Sequence, residues 1–355
     1  MRRGLMQWNP QELPIGVLET RIAGLRKAMR NGGLDAFLIY TNNVRPSAVT
    51  HLTAFTPYWS EGLLLVPGAG RLVFATALSN RVADWIRSTN PVSEVISTPS
   101  PGKLLGERLA QNASVKRVGV LELDLLPSGH SDDLAAAATT VEWMDASALF
   151  AAFRRTTDEA ERSLLARADA LAGAALDQVD ASIASDAGTL AGLVERYARL
   201  AGAEEAYVAV APDLASGRQL LRVSKPVPLA DPFALRASVA YKGCWIRRTR
   251  TFARDNCAAK ADAWFKETIG SLDAGKPLSA QLAGRIARLP NAALRGWLAE
   301  SSVGSYPLAP IASSRAIDAT ALVDGTFLVL TVELALDGAP WIGAAPLVVG
   351  KPTMR

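Results

Sequence analysis

The feature that most constrains the fold is an alternation of short apolar runs with amphipathic segments over the first 155 or so residues. The runs have the length of buried β-strands, and the segments between them carry apolar residues at helical spacing. Leu18–Arg30 is one such segment; Gly32 and Gly33 end it, and a buried strand follows at 35–40. This alternation predicts a mixed sheet with helices on its faces.

The pattern changes after about residue 156. Thr157 begins a long helix that carries acidic residues in its first turn, and a second long helix begins at Gly188. Strand-like segments then dominate, at 205–211, 233–240, 244–252, 327–336 and 347–350, with helices near 262–272 and 278–289. We therefore predict an α/β N-terminal domain over residues 1–155 and an α+β domain over residues 156–355.

Composition excludes several classes of protein. The 38 Lys and Arg residues only slightly outnumber the 34 Asp and Glu residues and are dispersed, which argues against a nucleic-acid partner. No apolar run reaches the ~18 residues of a membrane span, and the first residues lack the apolar core of a secretory signal. Cys244 and Cys257 are too few for a disulfide framework or a cysteine zinc site. We expect a cytoplasmic protein with reduced thiols and no membrane partner.

Histidine is scarce, and this limits the chemistry. The chain has two histidines, His51 and His130, which are far apart and have no neighbouring ligands in the sequence. Histidine metal sites, Ser-His-Asp triads and Cys-His dyads all need a well-placed imidazole. Any histidine-dependent mechanism has only these two candidates.

Several motifs resemble those of the creatinase/prolidase/aminopeptidase P family. Residues 48–55 (AVTHLTAF) resemble the family's Asn-x-x-Tyr-Leu-Thr-Gly-Phe stretch, and residues 154–161 (RRTTDEAE) resemble the start of its catalytic domain. The strongest match is 241–252 (YKGCWIRRTRTF), which resembles the hairpin Tyr-x-Gly-Tyr-x-x-Asp-x-x-Arg-Thr-Phe. The resemblance covers almost the whole chain. It implies a creatinase-type N-terminal domain, a "pita-bread" C-terminal domain and a dimer.

The resemblance also implies where metals would bind. Active metallopeptidases of the family hold two metal ions with two Asp, one His and two Glu side chains. The matching positions here are Arg236, Arg247, Ser301, Glu333 and Ala344. Glu333 is the one remaining acid, and it lies two residues farther from Gly325 than the family spacing. Since a guanidinium cannot ligate a metal, we expect no metal, no other cofactor and no metal-dependent peptidase activity.

Arg236 and Arg247 flank a tight turn. A two-residue loop at 241–242 would place them directly opposite, and a loop at 242–243 would place them on a diagonal. In both cases they share one face of the hairpin. Like charges so close are destabilising unless a negative charge lies between them. The pair either binds an anionic ligand or consists of internal cations that pair with Glu333.

Four further residues are candidates for the same cleft: Ser301, Cys244, Trp245 and His51. Ser301 and Cys244 are nucleophilic residue types, but no base is identifiable near either, so structural roles are the alternative. Trp245 is a candidate lining residue. His51 occupies the family's Tyr position and has a packing role as its alternative.

These observations predict a pseudoenzyme of the family. It binds a small anionic molecule or a peptide, or serves as a non-catalytic subunit, in a homodimer or in a heterodimer with a paralogue. The alternative is a metal-independent hydrolase acting on a small amide or amino-acid derivative through Arg236, Arg247, Glu333, Ser301 or Cys244. A third hypothesis is a structural protein whose cleft is closed by packing.

Overall fold

The computed structural model describes residues 8–57, 61–180, 186–223, 225–253, 256–316 and 321–351. The first seven residues, where we expect no secretory signal, and the side chain of Cys257 lie outside this set. The chain divides into two compact units. The N-terminal unit runs to Arg154 and includes the segment Ser302–Pro307, and the C-terminal unit comprises Arg155–Ser301 and the chain from Leu308 onward.

The N-terminal unit is built around a six-stranded sheet in the order β4-β3-β2-β1-β5-β6. Its strands are β1 Ala36–Thr41, β2 Gly62–Pro67, β3 Leu72–Thr76, β4 Ser93–Ser97, β5 Arg117–Val120 and β6 Glu142–Asp145. Its helices are α1 Ile15–Asn31, α2 Ser47–Thr53, α3 Asn80–Thr89, α4 Pro101–Ala110, α5 Ser128–Ala137 and α6 Ser147–Phe153. β1 pairs antiparallel with β2 and parallel with β5, so the predicted mixed sheet is confirmed.

The central strand β1 shows why this sheet needs helices on both faces. Phe37 and Ile39 belong to one apolar cluster, which includes Phe150 of α6. Leu38 belongs to a second cluster on the opposite face, which includes Leu105 of α4. A strand that is buried on both sides is mostly apolar, and β1 reads as a continuous apolar run from Ala36 to Tyr40 for this reason.

The C-terminal unit is a seven-stranded sheet in the order β11-β10-β12-β13-β9-β8-β7. Its strands are β7 Glu205–Ala211, β8 Phe233–Tyr241, β9 Cys244–Phe252, β10 Ala292–Ser301, β11 Ala309–Ser313, β12 Phe327–Leu336 and β13 Ala339–Val348. Its helices are α7 Glu159–Leu176, α8 Ala187–Leu200, α9 Asn256–Ile269 and α10 Leu278–Ile286. The predicted α/β and sheet-plus-helix classes are confirmed.

Two apolar clusters hold the helices of the C-terminal unit to its sheet. Helices α7 and α8 bury their apolar faces with residues of β7, β8 and β9. Helices α9 and α10 do so with residues of β10, β12 and β13. Asp158, rather than the predicted Thr157, caps α7, because its carboxylate accepts a hydrogen bond from the Glu161 backbone N–H. Strands β10 and β11 are additional to those predicted from the sequence.

Phe150 tests the core of the N-terminal unit. Its side chain is fully buried and its ring packs 5.8 Å from that of Phe37. We expect Phe150→Ala to lower the free energy of unfolding by about 3–5 kcal/mol, since the truncation loses buried apolar area and leaves a cavity. Chemical denaturation measures this change, with the exposed Leu125→Ala as the matched control. A loss no greater than that of the control would contradict the packing described here.

Candidate functional site

The turn between β8 and β9 sets the geometry of the candidate site. Lys242 and Gly243 both have positive φ, 47° and 75°, as a two-residue type I′ hairpin loop requires. Tyr241 therefore pairs with Cys244 across the hairpin. Of the two loops considered from the sequence, the structure has the one at 242–243.

This register places the two arginines on a diagonal. Arg236 lies opposite Thr249, and Arg247 lies opposite Ser238. Residues directly opposite share a face of the sheet, and so do alternate residues along a strand. These four side chains therefore share one face of the hairpin, which we call the arginine face.

The carboxylate that neutralises Arg247 belongs to Glu300, not to Glu333 as expected. Arg247 Nη1 donates a hydrogen bond to Glu300 Oε1, and the Glu300 side chain is only 5% exposed. Glu333 instead lies near Arg218, with 3.9 Å between Nη1 and Oε2. Strand β10, which the sequence did not reveal, brings Glu300 to this position. The internal pairing with Glu333 is therefore wrong.

Arg236 has less compensation than Arg247. Burial lowers the pKa of its guanidinium, the charge of Arg247 lowers it further, and Glu300 opposes both effects. An arginine with such a lowered pKa still remains a cation at neutral pH. No carboxylate of the described residues forms an ion pair with it, and its Nε is buried without a hydrogen-bond partner.

Two more buried polar atoms on the arginine face lack hydrogen-bond partners among the described residues. They are Thr249 Oγ1, opposite Arg236, and Nε1 of Trp245, two residues before Arg247 on β9. The Trp245 ring stacks on Tyr207 with a centroid separation of 5.8 Å and an interplanar angle of 7°. Buried polar atoms are normally paired, so this face has unused hydrogen-bonding capacity.

The alternate residues of β9 lie on the opposite face, where the basic side chains are paired. Arg248 forms a two-point contact with Asp169 of α7, and Arg250 donates to Asp177 at 2.8 Å. Cys244 is on this face too, packed against the apolar cluster beneath α7 and α8. The structure therefore separates Cys244 from the arginine face, although the sequence grouped them.

Ser301 is not placed as a nucleophile. It is 3% exposed, and its hydroxyl donates to the carbonyl oxygen of Phe327 at 2.7 Å. It alternates with Glu300 on β10, so the two side chains point to opposite faces of the strand. Of the adjacent pair, Glu300 reaches Arg247 and Ser301 does not.

His51 lies in the interior of the N-terminal unit. It is 8% exposed, its ring packs edge-on to Phe153 at 5.8 Å, and Arg21 donates to its carbonyl oxygen. Burial holds the pKa of its imidazole well below the ordinary value, and the charges of Arg154 and Arg21 add to this effect. The imidazole is therefore neutral at pH 7 and packs in the core.

The donor set does not fit the dinuclear metal site that the resemblance implies. The usual family spacing from Gly325 falls on Thr331, two residues before Glu333. Thr331 lies directly opposite Ala344, which in turn lies opposite Thr249. Besides the Thr331 hydroxyl and the Ala344 methyl group, the arginine face therefore presents two guanidinium groups and one carboxylate, that of Glu300, which already pairs with Arg247. A site for divalent cations needs anionic oxygens, and guanidinium groups repel such ions.

Comparison with known proteins gives the same fold. A family model for the creatinase/prolidase N-terminal domain matches residues 21–156. The prolidase of Pyrococcus horikoshii OT3 is 15% identical, with a TM-score of 0.71 over 94% of this chain and 96% of that one. The Xaa-Pro dipeptidase of Bacillus anthracis is 17% identical, with a TM-score of 0.70 over 94% and 95% of the two chains.

A third similar structure is the N-terminal domain of the FACT complex subunit SPT16 from chickpea. It is 16% identical, with a TM-score of 0.65 over 96% of each chain. No curated protein matched the sequence. The chain thus combines a creatinase/prolidase N-terminal domain with the pita-bread fold of the prolidases.

The donor chemistry gives a direct prediction for metals. After dialysis of the protein against manganese, cobalt or zinc, we expect elemental analysis to find well under one ion per chain. The physical reason is that the guanidinium groups of Arg236 and Arg247 repel divalent cations. Dialysis without added metal gives the background, and near-stoichiometric metal above that background would contradict a cationic arginine face.

Proposed function

We propose that this chain is a non-metallopeptidase of the creatinase/prolidase family that binds a small anionic ligand at Arg236 and Arg247. The observation that carries the proposal is the charge balance of the arginine face. One buried carboxylate, Glu300, is bonded to one of two neighbouring guanidinium groups. The other, Arg236, has no ion-pair partner among the described residues.

An anion would neutralise the unpaired charge of Arg236 and would accept hydrogen bonds from the donors that lack partners. A carboxylate or phosphate oxygen accepts charge-assisted hydrogen bonds from guanidinium groups, often at two points. The unpartnered Arg236 Nε, Thr249 Oγ1 and Trp245 Nε1 all can donate. A ligand with several acceptor oxygens suits this set better than a neutral or cationic ligand.

The side chains that could replace the metal do not favour hydrolysis. Ser301 donates to a backbone carbonyl, and Cys244 lies on the other face of its strand. The buried histidine is in the N-terminal unit, inside its core. We therefore favour binding over a metal-independent hydrolase.

The same fold also occurs in a protein that is named as a subunit of a complex. The pita-bread fold by itself therefore does not assign a peptidase activity to this chain. A role as a non-catalytic subunit, in a homodimer or with a paralogue, is compatible with an anion site and is part of the proposal.

A thermal-shift panel of dicarboxylates, phosphates and acidic dipeptides tests the anion site. We expect at least one anion to raise the melting temperature of the wild type and Arg236→Gln to lose at least tenfold in affinity for it. Arg250→Gln is the matched control, since Arg250 lies on the neighbouring strand β9 but pairs with Asp177. If no anion stabilises the wild type, or if both variants respond like the wild type, the anion site is wrong.

Glu300→Gln gives a test of opposite sign. Removing this carboxylate frees the Arg247 guanidinium, so the variant should bind the same anion several-fold more tightly while being less stable without it. Anion-dependent recovery of the melting temperature is the expected readout. If the variant is destabilised and no anion restores its stability, Glu300 and the arginines form a purely internal network.

A further inference from the structure

The N-terminal unit contains a cavity that is unrelated to the arginine face. It has a volume of about 490 Å³ and follows β4, the strand at one edge of the six-stranded sheet. Small-molecule sites have volumes of about 300–1,000 Å³, so its size suits a metabolite. Strand residues Ser93 to Ser97 line it, together with Arg71, Asn80, Arg87, Asn90 and Pro91.

Two of the lining side chains are almost fully buried and have unused polar atoms. Asn90 is 1% exposed and Ser93 is 2% exposed. Asn90 Oδ1 accepts a hydrogen bond from the Ser93 backbone N–H, but Asn90 Nδ2 and Ser93 Oγ have no partner among the described residues. Both residues line the cavity, but these two atoms are themselves buried, and buried polar atoms without a partner are unusual.

The charges around the cavity favour an anion. Arg71 makes no hydrogen bond or ion pair with a described residue, although its charge helps to lower the pKa of Glu94. The two-point contact with Arg108 already neutralises Glu94. Arg87 is held in place by Asp84 and by the carbonyl oxygen of Val95, to which it donates at 2.8 Å. Within the described part of the chain, Arg71 is thus a lining cation with no hydrogen bond or ion pair of its own.

Arg87 and Asn90 also argue against a peptide that would extend the sheet. A peptide strand would need the backbone groups at the free edge of β4. The Val95 carbonyl oxygen already accepts from Arg87, and the Ser93 N–H already donates to Asn90. Such side-chain cover is a known way to protect an edge strand. A small molecule would leave it intact.

We propose that this cavity binds a small metabolite through an oxyanion, either a carboxylate or a phosphate. Arg71 supplies the free guanidinium and Arg87 supplies a second one in a fixed orientation, while Asn90 and Ser93 form part of the polar lining. The proposal does not depend on the arginine face, because every group that it uses belongs to the N-terminal unit.

Isothermal titration of the full chain with inorganic phosphate and with citrate tests this site and distinguishes the two oxyanions. The experiment uses Arg236→Gln as the background, so that binding at the arginine face does not contribute. We expect saturable binding of at least one probe and a loss of tenfold or more on adding Arg71→Ala. Arg30→Ala, an exposed arginine of α1 in the same unit, is the matched control and should leave the affinity unchanged.

Two results would overturn the proposal. One is the absence of saturable binding for both probes, and the other is equal affinity in the Arg71→Ala and Arg30→Ala proteins. Hydrogen exchange provides a second readout that does not depend on the substitutions. The bound probe should slow hydrogen exchange in a peptide covering residues 90–97. Unchanged exchange in that peptide would mean that the probe binds at another site.

Discussion

The candidate site depends on the ion pair between Arg247 and Glu300. These residues lie on β9 and β10, and the sheet order places β12 and β13 between them. A carboxylate as buried as that of Glu300 would be strongly destabilising without a cationic partner. Glu300 reaches Arg247 past two intervening strands, so the ion pair holds the Arg247 side chain over the middle of the sheet. The neighbouring Arg236 has no ion pair, and its positive charge is less fully compensated.

The same ion pair crosses the boundary between β13 and β9, where this sheet has its fewest backbone pairings. Between β13 and β9 the described pairing is the single register contact of Ala344 with Thr249. Nearby, the Thr251 hydroxyl donates to the Ile342 carbonyl at 2.8 Å and accepts from the Ile342 N–H. Side chains thus replace part of the missing ladder. Positive charge on the arginine face therefore contributes to the framework of the sheet as well as to the proposed ligand site.

Much of the fold could be predicted because local patterns agree with it. The apolar alternation defines the N-terminal sheet, and Gly243 marks a tight turn between β8 and β9, although the sequence left two loop positions open. Strand β10 was missed because its sequence, AALRGWLAES, is rich in residues that favour helices, and its pairing with β12 overrides that preference. Only the end of β13 was predicted, since Pro340 and Pro346 are unusual within a central strand.

The site was harder to predict than the fold. Arg236 and Arg247 follow from the resemblance, but Glu300 is 53 residues from its partner and lies on the strand that the sequence did not reveal. The sequence points to Glu333 instead because it is the nearest acid to the position that resembles the family's Glu. The edge cavity of the N-terminal unit has no sequence motif, since Arg71, Arg87 and Asn90 come together only through the packing of α3 beside β3 and β4.

The most direct test is anomalous diffraction from crystals of the protein exposed to both bromide and manganese. If Arg236 and Arg247 have replaced the metal site by fixed positive charge, a bromide peak should lie within hydrogen-bonding distance of the Arg236 guanidinium, with no manganese peak on the arginine face. A manganese peak on that face, or the absence of bromide at Arg236 in crystals that bind it elsewhere, would contradict the central claim.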